Sequence, residues 1–251
     1  MKYHLTLFVI IFLLIRIGMA QSLINKHLAA GDSLFESFNN PGALDEYLKA
    51  LELDSTNYEA LWKVSRAYVD IGETLKGDIR AENYKNGELY ARKATRVDSQ
   101  GSKGHLYLSI ALGRVALDAG AKERIKLSKE IKKQVDLAIQ YDPNDDIAYH
   151  VLGRWNRKLA NLSWIERGFA NIFLGGVPKD ASDENALKCF QKAVELKPGY
   201  INHHLELGIT YEMMDMKEKA RIEYQKCIDL PKSASDDDKY KQEAKERMED
   251  L

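Results

Sequence analysis

The sequence predicts an all-α chain: a right-handed α-solenoid of about five helix pairs, closed by a C-terminal capping helix. Three observations predict it. A phrase with small and bulky residues at helical offsets returns five times along the chain. Before each copy lies an amphipathic segment with a small residue near its centre. Proline is scarce, five residues in 251, and it falls at the ends of these phrases or between them.

The recurring phrase is "ALDEYLKALELDST" (43–56), "GELYARKATRVDSQ" (87–100), "IKKQVDLAIQYDPN" (131–144), "ALKCFQKAVELKPG" (186–199) and "ARIEYQKCIDLPKS" (220–233). Offsets of four and then three residues put its key positions on one helical face. An Asp-Ser, Asp-Pro, Lys-Pro or Leu-Pro pair then stops the helix. The preceding segments carry Gly31, Ser65, Ser109, Gly153 and Gly208, where two helices must approach closely. Helix, turn and helix over about 34 residues is the tetratricopeptide pattern.

The units fall at about 24–57, 58–101, 102–145, 146–200 and 201–234, with a capping helix at 236–251. Gly31 to Ala43 and Gly208 to Ala220 are twelve residues apart, the standard spacing. Ser65 to Gly87 and Ser109 to Ile131 span 22, and Gly153 to Ala186 spans 33. The middle units therefore carry insertions, expected to lengthen their helices. Leu152, Leu159, Leu162, Ile165, Phe169, Ile172 and Phe173 keep near-helical spacing, so one long helix is expected from about 147 to 173, ended by "FLGGVP". Trp155 and Trp164 are expected in the core. One helix pair buries too little apolar surface to offset its own ordering, so the units must stack to make a continuous core.

The first residues differ from the rest. Lys2 precedes an apolar stretch from Leu5 to Ile15, and Gly18-Met19-Ala20 offers small residues before Gln21. Residues 1–20 thus read as a secretory signal peptide cleaved near Ala20, which places the protein in the periplasm or outside the cell. The alternatives are an N-terminal membrane anchor or a cytoplasmic chain. An anchor is disfavoured because the stretch is short of the ~20 residues that span a bilayer. Cys189 and Cys227 fall on second helices of different units, so a packing role is expected rather than a disulfide.

Residues 147–231 are more distinctive than a generic repeat. Leu-Gly-Arg-Trp (152–155), "LSWIER" (162–167), the Phe173 to Pro178 link and "ALKCFQKA" followed by "PGY" resemble, in that order, the regulator of microtubule dynamics family. The resemblance implies an all-helical, non-enzymatic tetratricopeptide protein. Eukaryotic members are linked to microtubules, and some to organelle membrane contacts and phospholipids. The apparent export signal departs from them, so the shared part is the binding scaffold rather than the partner.

In such solenoids the first helix of each unit lines a concave groove. The groove positions give Trp62 and Arg66 in the second unit, Lys103 and Arg114 in the third, and His150, Arg154, Arg157 and Lys158 in the fourth. A basic groove with an apolar floor suits a protein or peptide partner, either acidic or offering a C-terminal carboxylate; a phospholipid phosphate is the alternative. The apolar insertion 165–178 could also meet a lipid surface. Against these stands a plainer expectation, that the arginines are solvated or paired with Asp32, Asp70, Glu166 or Glu212. A formal charge of −1 gives no reason to expect a nucleic-acid partner. No phosphate loop, zinc helix or nucleophile elbow occurs, so neither cofactor nor metal is expected. His203-His204 is expected to be a solvated pair, and His150 lacks an acid–base partner in sequence.

Overall fold

The computed structural model describes the backbone of residues 2–234 and 236–251, and the side chains from residue 18 onward apart from 235. The leader expected at 1–20 lies outside the described side chains but for its last three residues. Among the described residues there are twelve helices and no strand, and no helix is long and apolar enough to cross a membrane. The chain divides into two compact units, residues 1–99 and 100–251.

The first unit holds α1 (Lys2–Glu36), α2 (Asn40–Leu53), α3 (Tyr58–Glu73) and α4 (Gly77–Val97). Here α1 packs on α2 and α3 on α4, with α2 against α3 joining the pairs. The second unit holds α5 (Ser102–Val115), α6 (Ala121–Tyr141), α7 (Asp146–Ala160), α8 (Trp164–Phe173), α9 (Asp183–Leu196), α10 (Ile201–Met213), α11 (Lys217–Asp229) and α12 (Asp237–Glu249). Its pairs are α5 with α6, α7 with α9, and α10 with α11. These are the five pairs the repeat predicts. As expected, the inserted residues lengthen α4 and α6 to 21 residues each, against 14 in α2 and 13 in α11.

The recurring phrase is the core. Ala43, Tyr47 and Ala50 are fully buried, as are Ala91 and Ala94, Val135 and Ala138, Ala186, Phe190 and Ala193, and Ala220, Tyr224 and Cys227. The bulky member packs over the small residue of its partner helix. A Cβ on Gly31 would lie 2.4 Å from the Tyr47 ring, one on Gly153 2.9 Å from Phe190, and one on Gly208 2.5 Å from Tyr224. Where serine replaces glycine, at buried Ser65 and Ser109, the second helix carries smaller Ala91 and Val135 at the matching position. Gly87 complements this in the second pair, where a Cβ would lie only 3.2 Å from the Ser65 carbonyl oxygen. Side-chain volume is thus balanced across each crossing.

Caps set the boundaries. Asn39, Asn57, Asp145 and Ser182 each accept a backbone N–H at the start of α2, α3, α7 and α9. At the other end of unit two, α12 packs on α10 and α11, bringing Ala244, Tyr240, Met248 and Leu251 to the cluster around Tyr224 and Cys227.

Two expectations are corrected. The single helix over 147–173 is broken at 161–163. Ser163 starts α8 with a capping box: its hydroxyl receives the Glu166 N–H, and the Glu166 carboxylate receives the Ser163 N–H. The free energy of two satisfied terminal donors outweighs continuation of the apolar period through Asn161. Consequently α7 pairs with α9, and α8 stands apart on α6. Trp155 is buried, with its indole N–H donating to the Ser128 carbonyl at 2.8 Å, but Trp164 is not in the core. It is the first residue of α8, on the face opposite Glu166 and Ala170, which are the buried positions of that helix.

Candidate functional site

The first helices of the second unit, α5, α7 and α10, lie side by side: α7 touches both α5 and α10. Their facing residues include most of the predicted positions. Lys103, near the start of α5, forms an ion pair with buried Asp145 at 2.7 Å. Burial works to lower its pKa, but the Asp145 contact outweighs this and raises it. Arg114 is half-buried at the C-terminal end of α5.

On α7 the arginines meet a carboxylate that sequence reading did not single out. Glu206 of α10 is buried. Arg157 donates to its carboxylate, to its backbone oxygen at 2.9 Å and to Thr210 Oγ1 at 3.0 Å. Arg154, exposed, reaches the other carboxylate oxygen at 3.4 Å. Lys158, one turn beyond Arg154, is exposed. Two guanidiniums thus share one buried acid, and the layer keeps a net positive charge. The plainer expectation of paired arginines holds in kind for Arg157 and for Arg154, with Glu206 as the shared partner. Glu166 instead pairs with Arg124 at 3.1 Å, and Glu212 with Arg247 at 3.2 Å.

His150 is buried rather than lining an open groove. Its Nδ1 lies 3.0 Å from Nδ1 of His203, whose Nε2 lies 2.9 Å from the Asp146 carboxylate. Asp146 can only accept, so His203 donates from Nε2 and accepts at Nδ1 from His150. Burial lowers the pKa of His150, aided by the fields of His203, Arg154, Arg157 and Arg114. Burial also lowers that of His203, more than Asp146 raises it. The expected solvated His203-His204 pair is therefore overturned. Both rings are buried, and His204 lies 2.6 Å from Glu223 and 2.8 Å from the Pro198 carbonyl. Apart from Pro198 and the Tyr200 ring, 4.6 Å from that of His203, their partners sit far away in sequence, which is why no local signal revealed the charged and imidazole contacts.

In the first unit, Arg66 and Trp62 are half-buried. The Arg66 guanidinium stacks 3.5 Å over the Phe35 ring and donates to the Tyr47 hydroxyl at 3.1 Å. That hydroxyl donates to Asp32 at 2.8 Å. Asp32 also takes buried Lys63, at 2.6 Å. Burial, then the Asp32 contact, pushes the Tyr47 pKa upward. Trp62 has the Lys63 and Arg66 charges each 5.4 Å from its ring centre. Cys189 and Cys227 are both free thiols.

A family model described as regulator of microtubule dynamics protein 1-3 matches residues 27–251. The chain belongs to this family. It is 29% identical over 224 residues to regulator of microtubule dynamics protein 1 of Caenorhabditis elegans, covering 89% of this chain and 99% of that protein. To regulator of microtubule dynamics protein 1 of Mus musculus it is 27% identical, over 92% of this chain and 76% of that one. Regulator of microtubule dynamics protein 3 of Rattus norvegicus is 28% identical over 74% of this chain, yet the match spans only 40% of that longer protein. Among solved structures, a thermophilic TPR protein of Thermus thermophilus superposes with a TM-score of 0.65 at 16% identity, over 89% of this chain and 97% of that one. Pseudomonas aeruginosa pilF gives 0.55 at 14%, over 92% and 86%. These structural likenesses fix the tetratricopeptide-type fold of this member of the regulator of microtubule dynamics family.

Proposed function

We propose that the chain is a non-enzymatic adaptor that holds a peptide or protein partner against the α5–α7–α10 layer of its second unit. The observation that carries this is exposed Arg154 and half-buried Arg114, whose charges both bear on buried His150, with exposed Lys158 one turn along α7, on a layer whose buried acid Glu206 already serves two guanidiniums. An acidic segment or a C-terminal carboxylate is the partner such cations favour, by charge-assisted hydrogen bonds. Ile110 of α5 and Ile209 of α10 are only partly buried and are apolar side chains that these helices offer to such a partner.

The test is affinity capture from the native envelope fraction with wild type and an Arg154→Glu, Lys158→Glu variant. Because Arg154 helps to neutralise buried Glu206, capture counts only from variant protein whose circular dichroism and melting temperature match wild type, and an Arg154→Gln, Lys158→Gln variant, which adds no carboxylate, should lose partner in the same direction. The glutamate variant should lose at least about ten-fold of the captured partner, roughly the effect of reversing contacts worth 1.4 kcal/mol. Undiminished capture, or bound phospholipid in native mass spectrometry with no protein partner, would overturn the reading.

Export supports an envelope partner. Lys2, the Leu5–Ile15 stretch and the small residues before Gln21 are the features that support it. The microtubule role in the relatives' names requires a cytoplasmic chain. Sequencing of the native N-terminus should begin at Gln21; Met1 retained on a cytoplasmic protein would favour the cytoskeletal role instead.

A further inference from the structure

We propose that the outward face of α8 seats in the headgroup layer of an anionic lipid bilayer. This surface is separate from the α5–α7–α10 layer. It stands on three observations.

The first is exposure. Trp164 is 82% exposed, Ile172 71% and Ile165 47%. With Gly168 between them these residues form one stripe along the helix, because positions 164, 165, 168 and 172 fall within about a third of a turn. Indole is seldom left in water at this level, and it is enriched where hydrocarbon meets headgroups.

The second is charge. One flank of the stripe carries exposed Arg167, whose guanidinium donates to the Leu162 and Ala160 carbonyls at 3.1 and 2.9 Å and so is held beside the face. The other flank carries Phe169 stacked on Phe173, with the exposed Lys122 and Lys126 charges 5.6 and 5.3 Å from the Phe173 ring centre. The neighbouring acids are turned away or matched: Glu166 is buried against Arg124, and Glu123 lies 3.7 Å from Lys126. An apolar stripe between cations is the complement of an anionic membrane surface.

The third is size. Ten residues give a helix of about 15 Å, and its three exposed apolar side chains present roughly 400 Å², about half the ~800 Å² per partner of a stable protein interface. The same length is too short to span a bilayer. A stripe this small is sufficient for one aromatic and two aliphatic side chains to enter the interface, which argues for a lipid surface over a second copy of the chain.

The test follows Trp164 itself, because the apolar stretch at 5–15 could carry the full chain onto vesicles by another route. Full-length protein is mixed with vesicles of phosphatidylcholine containing about 30% phosphatidylserine, with and without brominated acyl chains. The Trp164 contribution is taken as the difference between wild type and Trp164→Phe. It should shift to the blue and be quenched about two-fold by bromine, with a weaker response on pure phosphatidylcholine. Ile172→Glu should cut the Trp164 blue shift and bromine quenching at least about two-fold at the same lipid concentration, while leaving the circular dichroism and melting temperature unchanged. An unshifted Trp164 emission on vesicle-bound protein would overturn the proposal. So would an Ile172→Glu response equal to wild type, or a wild-type dimer that this substitution converts to monomer.

Discussion

At the residue scale, Gly31, Gly153 and Gly208 let paired helices cross closely by nothing but the absence of a side chain. Gly208→Ala would drive a methyl group to 2.5 Å from the Tyr224 ring, so it should destabilise by about 1–3 kcal/mol. Gly113→Ala, on an α5 face with open space around it, should stabilise by up to about 1 kcal/mol through helix propensity. Urea midpoints of the two variants should therefore move in opposite directions. The glycines could be read from spacing alone, because the repeat fixes which residue faces which. The polar pairings could not. His150 and His203 are 53 residues apart, and Arg157 and Glu206 are 49 apart, distances at which the period of one helix says nothing. The histidine pair makes a second prediction. Both pKa values are depressed by burial, so the folded protein stays neutral where the unfolded chain takes up protons. Stability is complete above the free-histidine pKa of about 6.5 and is lost as pH falls toward the folded values, by at most ~1.4 kcal/mol per pH unit for each ring. The urea midpoint should fall between about pH 7.5 and about pH 5.5, and His150→Phe should flatten that fall whatever it does to the midpoint itself.

At the element scale, α8 shows how a local signal can override a longer one. The apolar period through 152–173 pointed to one helix, while Ser-Trp-Ile-Glu at 163–166 is a capping box legible in the same letters. The box won because Asn161 and Ser163 interrupt the stretch with residues that compete for backbone hydrogen bonds. Once the break is made, Trp164 follows it outward, since it is the first residue of a helix that turns Glu166 and Ala170 inward. Ser163→Ala removes the box and should cost about 1 kcal/mol. The loss should be local, so amide exchange should quicken across α8 more than across α7 or α9. Equal protection in all three helices would show that α8 is held by its packing on α6 rather than by its cap. The lengthened α4 and α6 were legible as extra residues between crossings; their helical form follows from the absence of proline or paired glycines in those stretches.

At the scale of the whole molecule, each unit is held by stacking, and the last pair of the second unit depends on α12. Ala244, Tyr240 and Met248 cover the end of the cluster that contains Tyr224 and Cys227. A chain ending at residue 235 should expose that surface, lower the melting temperature by several degrees and associate on standing; a monomer of unchanged melting temperature would mean the helix covers nothing of consequence. The repeat made the existence of this cover predictable, whereas the division at residues 99 and 100 left no mark in composition. The two thiols turn this architecture into something measurable. Burial pushes the Cys189 pKa up to about 11 and that of Cys227 up to about 12, so neither is a ready nucleophile while the helices are closed. Cys227 lies beneath α12, where only a transient opening admits reagent. Its alkylation rate in the unaltered protein is consequently a clock for how often the terminal helices part, with half-buried Cys189 as an internal standard.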